Sequence, residues 1–288
     1  SPINNIFINI LYLCLLEKKL MPKVKDKSRE LEVLIATMNK TSLDFLSNMF
    51  LSQSYSNLTL LIVNQTTKDK LLVSNFANIR VINSFEKGLS KSRNLAIKNA
   101  IKPICLLTDD DVIFLKGFED VVLNAHQKYY NPIITFQTNT TNGALYWKYP
   151  IKEIKHNNYI TRKTLSIEIS FKKNKLIGAN FNQRFGLGSQ FEDAENYIFL
   201  NELKKQGFQH MFINKSIGIH KPLSSSDEVA SDRFIYARGA LNAYKYGNLA
   251  YFWVLKFVFF LVRKNLISFH EMKNKITLGF KGINDYKN

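Results

Sequence analysis

Three carboxylates in a row, Asp109-Asp110-Asp111, follow almost directly on the apolar run Ile104-Cys105-Leu106-Leu107. A short run of that kind reads as a buried strand, which puts the acids at its carboxyl end. Their mutual repulsion raises their pKa values unless a cation shares the site. A divalent ion with oxygen ligands, Mg2+ or Mn2+, is the simplest such cation. Held there, it can bridge a diphosphate and neutralise charge on a departing nucleotide. The alternative use is a surface acidic turn or helix cap. A second acidic cluster, Glu192-Asp193-Ala194-Glu195, follows Phe185-Gly186-Leu187-Gly188. It reads as the opening of a helix, where backbone N–H groups help hold a carboxylate ionised. Simple helix capping is its structural alternative.

The elements that would carry these acids alternate in type. Leu31–Thr37, Leu58–Val63, Ile79–Ile82 and Ile104–Leu107 read as strands. Between them, Thr41 is placed to cap a helix over Leu43, Leu46, Met49 and Phe50, and Gly88-Leu89-Ser90 leads into a helix over Arg93, Leu95, Ala96 and Ala100. Such alternation predicts an α/β fold, a mostly parallel sheet with helices on both faces. Ligands bind beyond the carboxyl ends of such strands, where the polar clusters Thr37–Asn39, Asn64–Asp69 and Asp109–Asp111 all fall. The middle of the chain is less regular, with an aromatic patch at Tyr146, Trp147 and Tyr149 and an alternating segment Leu165–Phe171. Four segments are expected: a hydrophobic helix and connector over 1–28, an alternating α/β half over 29–130, a less regular half with the second acidic cluster over 131–222, and a helical tail over 223–288.

The stretch from 31 to 126 resembles the nucleotide-sugar domain of family 2 glycosyltransferases, which have the GT-A (Rossmann-like) fold. The resemblance rests on four passages in order: Val33–Asn39; Ser52-Gln53-Ser54-Tyr55 with Leu60–Val63; Gly88-Leu89-Ser90 with Ser92-Arg93-Asn94; and Leu107-Thr108-Asp109-Asp110-Asp111, similar to the family's D-x-D metal motif. It implies roles for matching residues. Thr37 and Asn39 would line a uridine pocket, with Asp109 and Asp110 beside the nucleotide sugar. Asp109 would face ribose and metal, Asp111 would bind the metal, and Arg93 would lie near the carboxylates or the diphosphate. Where the family usually carries Asp-Asp-Gly-Ser, this chain has Asn64-Gln65-Thr66-Thr67. Asn64 would offer its amide to the uracil edge, and Asp69 matches the later acidic position.

Sugar transfer with inversion needs a base for the acceptor hydroxyl and groups that hold the departing UDP. Glu192-Asp193 resembles the acceptor motif of this fold, which makes Asp193 the expected base and Glu192 a positioning acid. His220 ends the strand-like Ser216–Ile219, near where related enzymes place a metal-binding histidine, and imidazole suits Mn2+ better than Mg2+. His126, His156, His210 and His270 read as packing or surface residues. Trp147 and its aromatic neighbours are placed either to stack on an acceptor sugar or to fill core.

The chain has 288 residues, 45% hydrophobic and 22% charged, the composition of a folded globular protein, with a formal net charge of +17. That charge favours an anionic partner. Its lysines are dispersed rather than gathered in a basic motif with interleaved aromatics, which argues against nucleic acid. Leu249–Val262 is apolar, interrupted by Lys256 and followed by Arg263 and Lys264. It suits a helix in the interface of an anionic membrane, or one buried against the domain or in a homodimer contact. Cys14 and Cys105 read as buried thiols of a reducing compartment. Ile3–Leu16 lacks a preceding basic residue and a cleavage site, and it is short of the roughly 20 residues that span a bilayer. The expectation is a cytoplasmic enzyme, peripheral on the inner face of the plasma membrane. It would be a metal-dependent inverting transferase of a hexose or N-acetylhexosamine from a UDP-sugar to a glycan, lipid-linked through polyprenyl diphosphate, in bacterial surface polysaccharide synthesis. A sugar-phosphate nucleotidyltransferase and a non-catalytic sugar-binding relative are the competing readings.

Overall fold

The computed structural model describes residues 30–222 and 229–288. The expected helix over 3–20, its connector and Cys14 lie outside the described residues. One nine-stranded sheet organises the chain, in the order β3-β2-β1-β4-β8-β6-β9-β5 with β7 paired to β9. Its first half is wholly parallel: β1 (Leu31–Met38), β2 (Thr59–Gln65), β3 (Ile79–Ser84) and β4 (Ile104–Asp109). Its second half mixes directions, with β6 (Ile133–Thr140) parallel to β9 (His210–His220) and β8 (Ile169–Lys172) antiparallel between β4 and β6. The short β5 (Ile113–Phe114) and β7 (Ile154–Lys155) run antiparallel to β9.

The strands of the parallel half are apolar on both faces because helices cover both. Val33, Ile35, Leu60, Ile62 and Leu106 pack with Leu46 and Met49 of α1 (Phe45–Met49) and Val122 of α3 (Phe118–Lys128). The alternate residues Leu34, Leu61, Val63, Cys105 and Leu107 pack with Ala96 and Ile97 of α2 (Leu89–Asn99) and Phe199 and Leu203 of α5 (Glu195–Lys205). This period of two follows from strand geometry. The helix expected from Thr41 is a single turn that starts at Phe45, since Ser42 and Asp44 hydrogen-bond each other at 2.7 Å instead of extending it. The alternating segment Leu165–Phe171 divides into a 3-10 turn over Ser166–Glu168 and then β8.

Register places the polar residues. Asn83, Asn64 and Thr37 stand side by side at the carboxyl edge, and Ala36 pairs with Asp109. β5 comes immediately after the acidic triplet and pairs Ile113 with Ile219, which brings the end of β9 back to the triplet.

Among the described residues the tail carries the helices α6 (Asp232–Tyr246), α7 (Ala250–Arg263) and α8 (Met272–Lys287), after the short α4 (Asn158–Lys163) in the middle region. α6 and α8 touch backbone to backbone. A Cβ on Gly239 would lie 2.2 Å from the Gly279 carbonyl oxygen, and one on Gly282 would lie 2.0 Å from that of Tyr236. α8 also reaches the acidic motif's loop: Tyr286 packs on Phe185 and Phe191, and Arg184 donates to the carbonyls of Asp285 and Tyr286.

Candidate active site

Arg93 is the hub of the carboxyl edge. It rises from α2, is 2% exposed, and faces two acids from distant parts of the chain. One terminal nitrogen donates to both oxygens of Asp109 at 3.0 and 3.1 Å. The other donates to Glu195 at 2.9 Å and Asn196 at 3.0 Å. Burial works against the guanidinium's charge, but Asp109 and Glu195 together outweigh it and raise its pKa. The helix start carrying Arg93 is tied to the acidic motif's loop, because Ser90 Oγ donates to the Phe185 carbonyl at 2.6 Å.

The three aspartates point to three different partners. Asp109 also accepts from Ser166 Oγ at 2.9 Å, so both of its oxygens are engaged. Asp110 accepts from Thr37 Oγ1 at 2.6 Å and pairs with Lys40 Nζ at 3.0 Å. Asp111 reaches His220, with Oδ2 3.3 Å from Nε2.

The His220 ring is oriented by its other nitrogen, which lies 2.7 Å from the Lys221 carbonyl oxygen. A carbonyl only accepts, so Nδ1 carries a proton. Nε2 then faces the Asp111 carboxylate either as a bare lone pair, which repels it, or with a cation between them. Without a metal that cation is a proton: the hydrogen bond to Asp111 raises the His220 pKa and lowers that of Asp111. The pair thus offers one carboxylate oxygen and one imidazole nitrogen converging on a cation, a donor set suited to Mn2+. Among the described residues no three His, Cys, Asp or Glu side chains form a preformed metal cage. Ions that bridge a nucleotide diphosphate commonly take only one or two protein ligands and draw the rest from phosphate and water.

Asp193 and Glu192 sit on the loop before α5, not on the helix itself. The helix begins at Glu195, with Ala194 at φ 69 between them. That left-handed conformation is strained for alanine, and it turns Asp193 off the helix axis. Arg238 Nε of α6 lies 2.7 Å from Asp193 Oδ2, an ion pair by distance without hydrogen-bond alignment. Glu192 accepts from the Gly188 N–H at 3.2 Å and pairs with Arg233 at 3.3 Å. Asp193 opens on a cavity of about 250 Å³ bordered by Trp147, Glu195 and Arg238.

Two expected nucleotide contacts have other positions. Asn64 is wholly buried; its amide donates to the Lys40 carbonyl and Asn83 and accepts from the Lys40 N–H, at 2.9 to 3.1 Å. It braces the Asn39–Lys40 turn, with Asn39 at φ 56, and has no amide edge left for uracil. Asp69 is exposed in its own turn, its pKa lowered chiefly by a hydrogen bond from Thr67. Tyr149 is half-buried, stacked on Phe212 and donating to Glu168. Burial pushes the Glu168 carboxyl up to about 8. Residues not anticipated from sequence include Lys40, Ser166 and Arg238. Lys40 directly follows the Thr37–Asn39 cluster; no local signal marks Ser166.

The family model described as "Glycosyl transferase family 2" matches residues 32–186, more than half of the chain. The crystal structure of S. aureus TarS 1–349 is similar at 14% identity with a TM-score of 0.51, covering 90% of this chain and 91% of that one. Its complex with UDP is similar at 15% identity with a TM-score of 0.50 and the same coverage. At such identities the likeness is one of fold. No curated protein gives a significant sequence match. With the α/β sheet, the ordered strand-end motifs and the family match all in place, the chain belongs to glycosyl transferase family 2 and is a glycosyltransferase of GT-A-like architecture.

Proposed function

We propose that the chain transfers a hexose or N-acetylhexosamine from a UDP-sugar, with inversion, to a lipid-linked glycan in bacterial surface polysaccharide synthesis. The observation that carries this reading is the convergence around Arg93. One guanidinium joins Asp109 of the triplet to Glu195, two residues after Asp193. A donor side and an acceptor side are thereby held against each other. The UDP complex of the similar TarS structure supports a uridine nucleotide as donor.

In this reading Asp193 takes the proton of the acceptor hydroxyl as its oxygen attacks the anomeric carbon. The bond from that carbon to the UDP oxygen breaks, and the electron pair leaves with UDP. Asp111 and His220 would hold a divalent cation, which would supply charge neutralisation for the departing diphosphate. Thr37 and Lys40 fix Asp110, and Arg93 fixes Asp109, beside the nucleotide.

The same proposal places the enzyme on an anionic membrane surface at the cytoplasmic face. One edge of α7, Ala250, Val254, Val258 and Leu261, is buried in the tail, while Leu249, Phe252, Leu255, Phe259 and Phe260 are exposed. Lys256, Arg263 and Lys264 are exposed beside them. The helical stretch Asp232–Arg263 is long and apolar enough to cross a membrane by length and composition. It is interrupted by Gly247 at φ 57, and α7 alone has 14 residues, or about 21 Å against a hydrocarbon core of about 30 Å. Lying in the interface suits such a helix better than spanning.

The test is a UDP-sugar panel with Mn2+, run on the parent protein and two variants. Asp193→Asn is expected to keep UDP binding and lose transfer by about 100-fold or more; transfer at the parent rate refutes the base. Asp111→Asn is expected to lose metal-dependent UDP binding; unchanged binding refutes the metal site.

A further inference from the structure

The cavity at Asp193 is lined by four cationic side chains, Arg162, Lys163, Arg238 and Lys245, against two carboxylates, Asp193 and Glu195. Both carboxylates already have partners, Asp193 in Arg238 and Glu195 in Arg93. Among the described residues no ion pair engages Arg162, Lys163 or Lys245. Arg162 uses only Nε, which donates to the Asn158 carbonyl at 3.1 Å. Lys163 Nζ sits 4.2 Å from the Trp147 ring centroid, and Lys245 Nζ sits 4.8 Å from that of Tyr246. The Trp147 indole N–H is buried with no acceptor.

A second cavity of about 310 Å³ shares Arg162, Tyr197 and Lys245 with the first and adds Lys205, which is paired with Glu202 at 2.9 Å and so adds no free charge. The two form one basic groove leading away from Asp193. Guanidinium, ammonium and indole N–H groups only donate. A groove of donors with surplus positive charge is complementary to a group that only accepts and is negative. The crowding is visible in Lys163, whose pKa is lowered by burial and then by Arg238 and Arg162.

We infer that this groove is an acceptor subsite for an anionic substituent, a phosphate or carboxylate carried on the glycan near the attacked hydroxyl. The inference rests on the proposed role of Asp193, since it is the neighbouring base that makes the groove an acceptor site. Arg162 and Lys163 come from α4 and Lys245 from α6, so the substituent is clasped between the middle region and the tail. Neutral glycans would leave these donors unmet and their mutual repulsion unrelieved.

The experiment titrates the full chain, saturated with Mn2+ and UDP, with three probes: methyl α-D-glucopyranoside, its 6-phosphate, and the corresponding methyl glucuronide. Binding is read by ligand-observed NMR. At least one charged probe is expected to bind about tenfold or more tighter than the neutral one; which of them does so identifies phosphate or carboxylate. Lys163→Gln/Lys245→Gln is expected to erase the difference, and Lys98→Gln, an exposed lysine on α2, to preserve it. The inference is overturned if neither charged probe outcompetes the neutral one, if the double variant binds as the parent does, or if Lys98→Gln weakens binding equally. Failure of the chain to bind UDP while the charged probe still binds would sink the donor reading and leave the anionic groove standing.

Discussion

Replacing Arg93 with methionine tests the centre of the site most directly. Methionine keeps most of the stem's volume and removes the charge. The side chain is 2% exposed and makes four hydrogen bonds to three residues. Its loss leaves Asp109 and Glu195, 29% and 12% exposed, facing each other without a cation. Breaking a buried ion pair from one side costs about 3–5 kcal/mol. Discounting for the partial exposure of Asp109, we expect about 3 kcal/mol, which for a chain of this size lowers Tm by about 5 °C. Arg93→Met/Asp109→Asn/Glu195→Gln removes the stranded charges and should recover at least half of the loss, because neutral groups cost less to bury. Denaturant unfolding measures both, and UDP binding should be weakened in both. A loss under about 1 kcal/mol for Arg93→Met, or no recovery in the triple variant, would refute the idea that this guanidinium holds the two acids together.

Other outcomes follow from separate parts of the molecule. His126 and His210 are 6% and 2% exposed, and burial lowers their pKa values to about 3 and about 4. The unfolded chain therefore binds more protons below about pH 6.5, and stability should fall as pH drops from there towards 4, by up to about 2.7 kcal/mol per pH unit for the two. A flat denaturation midpoint between pH 6.5 and 5 would contradict this. Gly239→Ala drives a methyl into the Gly279 carbonyl and should destabilise the tail by at least about 2 kcal/mol; a folded tail with unchanged proteolytic resistance would speak against the close crossing. Phe252→Glu/Phe259→Glu should abolish flotation with anionic vesicles while leaving the fold intact, and unaltered flotation would remove α7 from the membrane proposal.

The sequence displays the parallel half of the sheet clearly because four apolar runs and their polar termini are local signals. Thr37, Asp109 and Arg93 carry such local signals: each stands at a strand end or in the first turns of a helix. What stayed hidden depends on contacts far apart in the chain. Ser166 reaches Asp109 across 57 positions, and Arg238 meets Asp193 only because α6 folds back over the loop before α5. Asn64 shows the opposite error. Its position at a strand end suggests a ligand contact, but full burial and three hydrogen bonds to Lys40 and Asn83, 24 and 19 positions away, make it a brace. Glu-Asp-Ala-Glu at 192–195 reads as a helix start; the positive φ at Ala194 that separates them has no signature in an alanine.

The close crossing of α6 on α8 has a practical consequence for redesign. Gly239 and Gly282 leave main chain touching main chain, so the spacing of the two helices has no adjustable side-chain shim. Arg238, next to Gly239, is therefore positioned by a fixed jaw. Engineers seeking a roomier or less charged cavity at Asp193 should exchange Trp147, Lys163 or Lys245 and leave that glycine seam untouched.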